Sequence, residues 1–448
     1  MSDLKQSIAE YMGTTLSDLA TLVAYPSLAF EGYDHEPTIA CGNAVSEMFR
    51  AAGFDGAELI SVGPGFKAVW AEHHVSCDVA TVLLYAHYDI QPAPKDEQQW
   101  KTDPWTLTRG DDGRYHGRGA ADDKSGIVQH LGALHVLGGP DAITNVNLKV
   151  CIEGEEEAHG HLADYIAQDP NRFGADVYII ADTGNISVGE PILTTSLRGD
   201  VNVDVTVETV SSALHSGIFG GPTPDALVTL MNVLQSFYDE KGNTVIEGIK
   251  TGEEDGAEFP EELFREQAEL LPGVELVGTG SIATRLWKRP NATVIGMDVP
   301  SLASAANIII PKATARVAVR YPAGNDPRDV LDAVKRHISS HTPFAAKVTF
   351  TRELASPAFQ TSLDTSTGEL ALEALGEAFE KPASTIGCGA SIPLLSELQK
   401  ISPEATFLLF GPEDQAEAKV HSGNESVDAD EIARCIHAEA LILQRISR

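Results

Sequence analysis

The feature that most constrains this chain is an alternation of β-rich runs with helical stretches. Runs at 66–71, 79–88, 146–153 and 176–182 are bounded by turn residues, and a helical stretch at 124–137 lies between the second and third. Two earlier stretches, 4–24 and 36–53, carry apolar residues at helical spacing, and the second stops at Gly53. Strands that alternate with helices predict an α/β sheet covered by helices on both faces.

From about Arg198 the texture changes. Val201-Asn202-Val203-Asp204-Val205-Thr206-Val207 alternates apolar and polar residues, as a half-exposed strand does. A helix is expected at 223–239, strands at 292–298 and 312–321, a helix at 326–341 and a strand at 346–353. That β-α-β-β-α-β order is a ferredoxin-like unit. The stretch 240–290 fits no simple element. After about residue 356 the first texture returns, with a helix at 365–380, a strand at 405–411 and a helix at 428–446. A chain of 448 residues is expected to form two domains. Here they are residues 1–197 with 356–448, and an insert at 198–355.

Net charge of −33 would repel a duplex or an anionic membrane, so no nucleic-acid or membrane partner is expected. Cys41, Cys77, Cys151, Cys388 and Cys435 are scattered and form no CxxC pair. That argues against a disulfide scaffold or a zinc ribbon and fits a reducing, cytoplasmic location. The first residues show no secretory signal, and no run of about 18 apolar residues suggests a membrane span.

The apolar strands end in side chains suited to metals. Tyr85-Ala86-His87-Tyr88-Asp89 closes one of them, and ligands in open α/β sheets bind at the carboxyl ends of strands. Residues two apart on a strand point the same way, so His87 could bind a metal while the Asp89 carboxylate holds its other ring nitrogen. A partly buried histidine near a turn would explain the same residues. The Gly-rich run from Gly117 to Gly126 contains Asp122 and Asp123, which would repel phosphate and suit a cation. One of that pair could equally cap the following helix. Glu153-Gly154-Glu155-Glu156-Glu157 sets four carboxylates within five residues at another strand end. Such crowding is unfavourable unless positive charge lies among them; an exposed acidic loop is the alternative. Asp182 follows the apolar Val177-Tyr178-Ile179-Ile180-Ala181, and His421 lies in the loop before the last helix. Together His87, Asp122, Glu157, Asp182 and His421 make a ligand set for two divalent ions sharing one carboxylate.

The motifs at 87–92, 116–126, 153–157, 182, 215–221 and 421–425 resemble, in order, those of the zinc aminoacylase and exopeptidase family. That family includes carnosinase, carboxypeptidase G and succinyl-diaminopimelate desuccinylase. The resemblance runs from about residue 15 to 446 and is nearest to the carnosinase-like dipeptidase branch. It implies a mixed-sheet catalytic domain and an inserted ferredoxin-like lid and dimerisation domain. It also implies two Zn2+ ions, with Mn2+ or Co2+ as substitutes. Asp122 would bridge them, His87 and Asp182 would complete one shell, and Glu157 and His421 the other. Glu156 would be the general base, with a cis peptide after Asp122. In Leu214–Gly221, His215 would reach a partner subunit's site and polarise the scissile carbonyl, or else cap a lid helix. Asn307, Arg320 and Ser391 would contact substrate; Arg320 could grip a carboxylate or form a surface ion pair.

The activity so implied is hydrolysis of small peptides, dipeptides first, by a metal-activated hydroxide in a homodimer paired through the lid. The alternatives are an N-acyl-amino-acid deacylase and, from another class, a catalytically inactive binding protein. Two positions depart from the pattern. Gly387-Cys388-Gly389-Ala390-Ser391-Ile392-Pro393 replaces an Arg-Glu-Gly-Gly-Ser-Ile-Pro run, and His159 stands where relatives carry a small residue.

Overall fold

A computed structural model describes residues 2–94, 99–158, 160–254, 259–389 and 392–446. Helices α1 (Ser2–Val23) and α2 (Glu36–Ala51) lead into strands β1 (Glu58–Gly63), β2 (Phe66–His73) and β3 (Ala80–His87). Helix α3 (Lys124–Val136), β4 (Val146–Glu153) and β5 (Val177–Ile180) follow. Next come β6 (Gly199–Glu208), α4 (Ala226–Gln235), β7 (Asn291–Asp298), β8 (Lys312–Tyr321), α5 (Pro327–His341) and β9 (Lys347–Ser356). Helix α6 (Ser366–Phe379), β10 (Thr406–Leu409) and α7 (Ala429–Arg445) complete the chain. The elements fall on the stretches the sequence marks, with ends shifted by a few residues. The stretch 240–290 holds a short helix, Glu261–Gln267, and a π turn, Thr284–Lys288.

The chain forms two compact units, Met1–Thr195 with Thr361–Ile386 and Leu394–Arg448, and Ser196–Gln360 with Gly387–Pro393. Gly387–Pro393, expected with the first unit, groups with the second. Within that unit Arg198 N donates to Cys388 O at 3.3 Å. Gly387 also packs so closely on Trp287 that a Cβ there would lie 2.7 Å from it.

In the first unit the sheet order is β1-β2-β4-β3-β5-β10. Strand β3 runs parallel to β4 and β5, and β10 parallel to β5, while β2 pairs antiparallel with β1 and β4. The central strands are buried on both faces, which is why they read as unbroken apolar runs. Their shared direction brings His87, at the end of β3, level with Glu153, and Tyr85 level with Ile180. The segments that follow β3, β4 and β5 therefore leave from one edge of the sheet.

Helix α3 is buried from Lys124 to Leu134, as a helix walled in on all sides must be. It packs on β3, α1 and α7. A Cβ at Gly132 would come within 2.5 Å of Ile436 Cδ1, so glycine permits the close approach to α7. Two of its polar residues, Gln129 and His130, meet one acceptor, Glu439. Gln129 Nε2 donates to Glu439 Oε2 at 2.7 Å, and His130 Nδ1 lies 2.9 Å from Glu439 Oε1. The other ring nitrogen, Nε2, lies 3.0 Å from Tyr85 O.

The second unit has the sheet order β7-β8-β6-β9, all antiparallel. With β6, β7, β8 and β9 as the first to fourth strands, this is the ferredoxin-like arrangement expected. Val201, Val203, Val205 and Val207 are buried with Leu230 and Val233 of α4 and Val330, Val334 and Ile338 of α5. Asp225 and Asp326 cap those two helices, accepting from Val228 N and from Arg328 and Asp329 N.

Candidate metal centre

His87 is buried, as the last residue of a central strand should be. Its Nε2 lies 3.0 Å from Asp122 Oδ1 and 3.6 Å from Asp182 Oδ1. The second oxygen of Asp122, Oδ2, lies 3.0 Å from His421 Nε2, which is 3.2 Å from Glu157 Oε1. Two groups result, His87–Asp122–Asp182 and Asp122–Glu157–His421, each with ligand atoms within 4.8 Å of one another. Asp122 belongs to both. The peptide between Asp122 and Asp123 is cis.

Asp89 does more than face His87. His87 Nδ1 is nearer to the Asp89 backbone oxygen, at 3.1 Å, than to its carboxylate, at 3.5 Å. The carboxylate instead accepts from Glu156 N and Glu157 N, both at 2.9 Å. Asp89 thus fixes the segment after β4 as well as facing His87. Glu156 follows Glu155 in that segment, beside Glu157.

The electrostatics fit a cationic guest. Burial raises the carboxyls of Asp182, Glu156 and Glu157, and neighbouring carboxylates push the same way: Asp182 for Glu156, and Asp122 for Asp182 and Glu157. Burial alone would depress His87, but Asp182, Asp122 and Asp89 hold it well above its usual range. His421 is pushed up to about 11 by its bonds to Asp122 and Glu157. Carboxylates crowded in a low-dielectric pocket call for positive charge. Imidazole nitrogens with carboxylate oxygens are the donors that zinc, manganese and cobalt share.

The remaining expected site residues lie in the second unit. His215 is exposed and pairs with Ile308 in a short antiparallel ladder, and Ser216 N donates to Asn307 O at 3.0 Å, so His215 and Asn307 come together. His215 Nδ1 accepts from Gly217 N at 3.1 Å, capping the helical turn Ser216–Phe219. Arg320 sits near the end of β8, where its Nε is 3.4 Å from Asp200 Oδ1. Ser391 and His159 lie outside the described residues.

Three contributors went unassigned in the sequence. Gln91 Nε2 donates to Glu157 Oε2 at 2.7 Å. It lies inside the first motif, but an amide carries no ligand signal. Glu413 is raised by burial and by Asp122 and Asp182; its signal was that β10, like β3 and β5, ends near a carboxylate. Glu425 is buried and bonded to the loop bearing Asp122.

A model of peptidase family M20/M25/M40 matches residues 83–445. The cysteinylglycine-S-conjugate dipeptidase of Corynebacterium striatum is 39% identical over 379 residues, covering 82% of this chain and 81% of that protein. The Cys-Gly metallodipeptidase dug1 of Schizosaccharomyces pombe is 28% identical over 373 residues, covering 80% and 78%. The solved structure of the dipeptidase Dug1p from Saccharomyces cerevisiae superposes with a TM-score of 0.82 at 23% identity, covering 99% of this chain and 98% of that one. That likeness shows a shared fold.

Proposed function

The chain belongs to peptidase family M20/M25/M40, and from that premise we propose that it hydrolyses the amide bond of dipeptides with two divalent ions. The observation that carries the reading is Asp122, whose two oxygens each lie 3.0 Å from a different histidine, His87 and His421. His87 and Asp182 would hold one ion, Glu157 and His421 the other, and Asp122 both. Zinc suits this donor set, with manganese or cobalt as substitutes. When bound, such a pair supplies positive charge that acidifies a water and polarises the scissile carbonyl.

The chain's own residues do the rest. Glu156, its backbone N–H held by Asp89, takes the proton of the attacking water and passes it to the leaving amine nitrogen. With Nδ1 of His215 accepting from Gly217 N, a neutral ring carries its proton on Nε2. In the partner subunit's site that N–H would donate to the oxyanion as it forms. Arg320 and Asn307, with Ser391, would bind the substrate's carboxylate end.

The first unit would be the catalytic domain and the second the lid, through which two copies pair to form a homodimer. The apolar side chains that α4 and β7 leave exposed, Val228, Met231, Ile295 and Met297, support this pairing. The relatives' names support dipeptides, cysteinylglycine types among them. Among the described residues no helix is long and apolar enough to cross a membrane; five scattered cysteines with no CxxC pair support a cytoplasmic setting.

The test is to load the protein with zinc or manganese and offer free-amine dipeptides beside N-acetyl amino acids. Cleavage of the dipeptides that stops on chelation is expected. Full activity after metal removal, or cleavage of the N-acetyl compounds alone, overturns the reading. Glu156→Gln should keep two metals per chain yet lose roughly 10²–10⁴ in turnover; near-normal turnover would remove Glu156 from the mechanism.

A further inference from the structure

We infer that Glu425, paired with Arg118, is the positioning residue that locks together the two loops carrying Asp122 and His421. The inference rests on the two-metal reading above.

Glu425 is none of the five metal-type side chains, yet it is fully buried. Its Oε2 accepts from Arg118 Nη1 at 2.6 Å and from Gly119 N at 3.0 Å. Its Oε1 accepts from Ala121 N at 3.0 Å and from Asp122 N at 3.1 Å. Four donors for one carboxylate leave it no acceptor capacity to spare. Gly117 N adds a fifth bond, to the Glu425 backbone oxygen at 3.0 Å. The backbone that presents Asp122 is thus wrapped around a single side chain from the far end of the sequence.

Arg118 extends the connection to the other loop. Its Nη2 donates to the carbonyl of Ser422 at 3.0 Å, next to His421, and its guanidinium lies 5.4 Å from the centre of the Trp100 ring. His421 and Asn424 both have positive φ, 60° and 64°, a region non-glycine residues seldom occupy. With Lys419 at φ 53° as well, the loop needs outside bonds to keep its shape; Arg118 supplies one at Ser422, and Lys101 N another at Asn424 Oδ1, 2.6 Å away.

Asp122 and His421 are two of the three ligands in the group with Glu157, but only Asp122 is shared with the His87 group. Loss of Glu425 should therefore weaken one metal more than the other, whereas a purely structural role would not separate the two affinities.

The experiment is zinc titration of the chelator-stripped full chain in competition with a chromogenic chelator, for wild type and Glu425→Gln, with circular dichroism confirming that both are folded. A glutamine cannot accept on both atoms, so at least two of the four donors lose their acceptor. The variant should retain one tight site and lose about 10–100-fold at the other. Two sites of wild-type affinity in the variant, or an equal loss at both, overturn the role of Glu425 and leave the two-metal reading standing. A wild-type chain that binds no zinc overturns both.

If the variant does not fold, hydrogen exchange of metal-free wild type decides. Protection of the Gly119, Ala121 and Asp122 amides before zinc is added supports the inference. Protection that appears only with zinc overturns it.

Discussion

Removing Glu439 tests the link between α3 and the central sheet. Glu439 is fully buried and is the common acceptor for Gln129 and His130, at 2.7 and 2.9 Å, while His130 reaches the carbonyl of Tyr85 two residues before His87. Burial alone would lower the His130 pKa, but Glu439 outweighs it and the group is raised above 6.5. Glu439 thereby favours the charged form of His130, whose two ring nitrogens face Glu439 and the carbonyl of Tyr85. Deleting one member of a buried pair costs about 3–5 kcal/mol, because its partner is left charged and unmatched. Glu439→Ala should accordingly lose about that much in urea unfolding at pH 6. Glu439→Gln, which still accepts one bond, should lose less, about 1–3 kcal/mol.

The pH dependence gives a second reading. A group whose pKa is raised on folding adds stability that is complete below its unfolded pKa and disappears as pH climbs through the folded value. The gap between wild type and Glu439→Ala should thus be widest near pH 6 and shrink progressively above about pH 6.5. Loss of under about 1 kcal/mol in Glu439→Ala, the scale of an exposed pair, would refute the reasoning. A gap that widens between pH 6 and pH 9 would refute it too.

Asp122→Asn should lower the affinity for both metals together, since Asp122 is the residue common to both groups; atomic emission of the purified protein would show well under two metals per chain. His215→Ala should lower turnover by about 10²–10³ while shifting the melting temperature little, because the side chain is exposed; an unchanged rate would exclude the oxyanion role. On the proposed pairing through the lid, the wild type should run as a dimer in light scattering and Ile295→Lys, on the exposed part of β7, as a monomer; a monomeric wild type would remove the pairing, and a dimeric variant would place it elsewhere.

The sequence made the strands, the change of texture near Arg198 and the five metal-type residues legible for a common reason. Buried parallel strands must be apolar throughout, so a lone His87 or Asp182 at the end of such a run stands out. Asp89 was only half readable. Its spacing from His87 predicted a side-chain contact, but the choice between a ring nitrogen and two backbone N–H groups depends on where the segment after β4 passes. Glu425 and Gln91 were hidden for a similar reason, since the groups they bond, around Asp122 and at Glu157, lie far away in the chain. The grouping of Gly387–Pro393 with the second unit turned on Trp287 lying against Gly387, a contact that no local pattern announces.

The first unit's construction from segments far apart in the chain bears on biosynthesis. A ribosome releases His87, Asp122, Glu157 and Asp182 long before His421, Glu425 and α7 exist, with the ferredoxin-like unit made in between. That intervening unit, complete apart from Gly387–Pro393, can begin to fold while the earlier strands still lack β10 and the helix that seals α3. A nascent chain would therefore expose a half-covered apolar sheet until its last segment emerges, and premature termination anywhere after β9 would leave a chain prone to aggregate rather than a weakened enzyme.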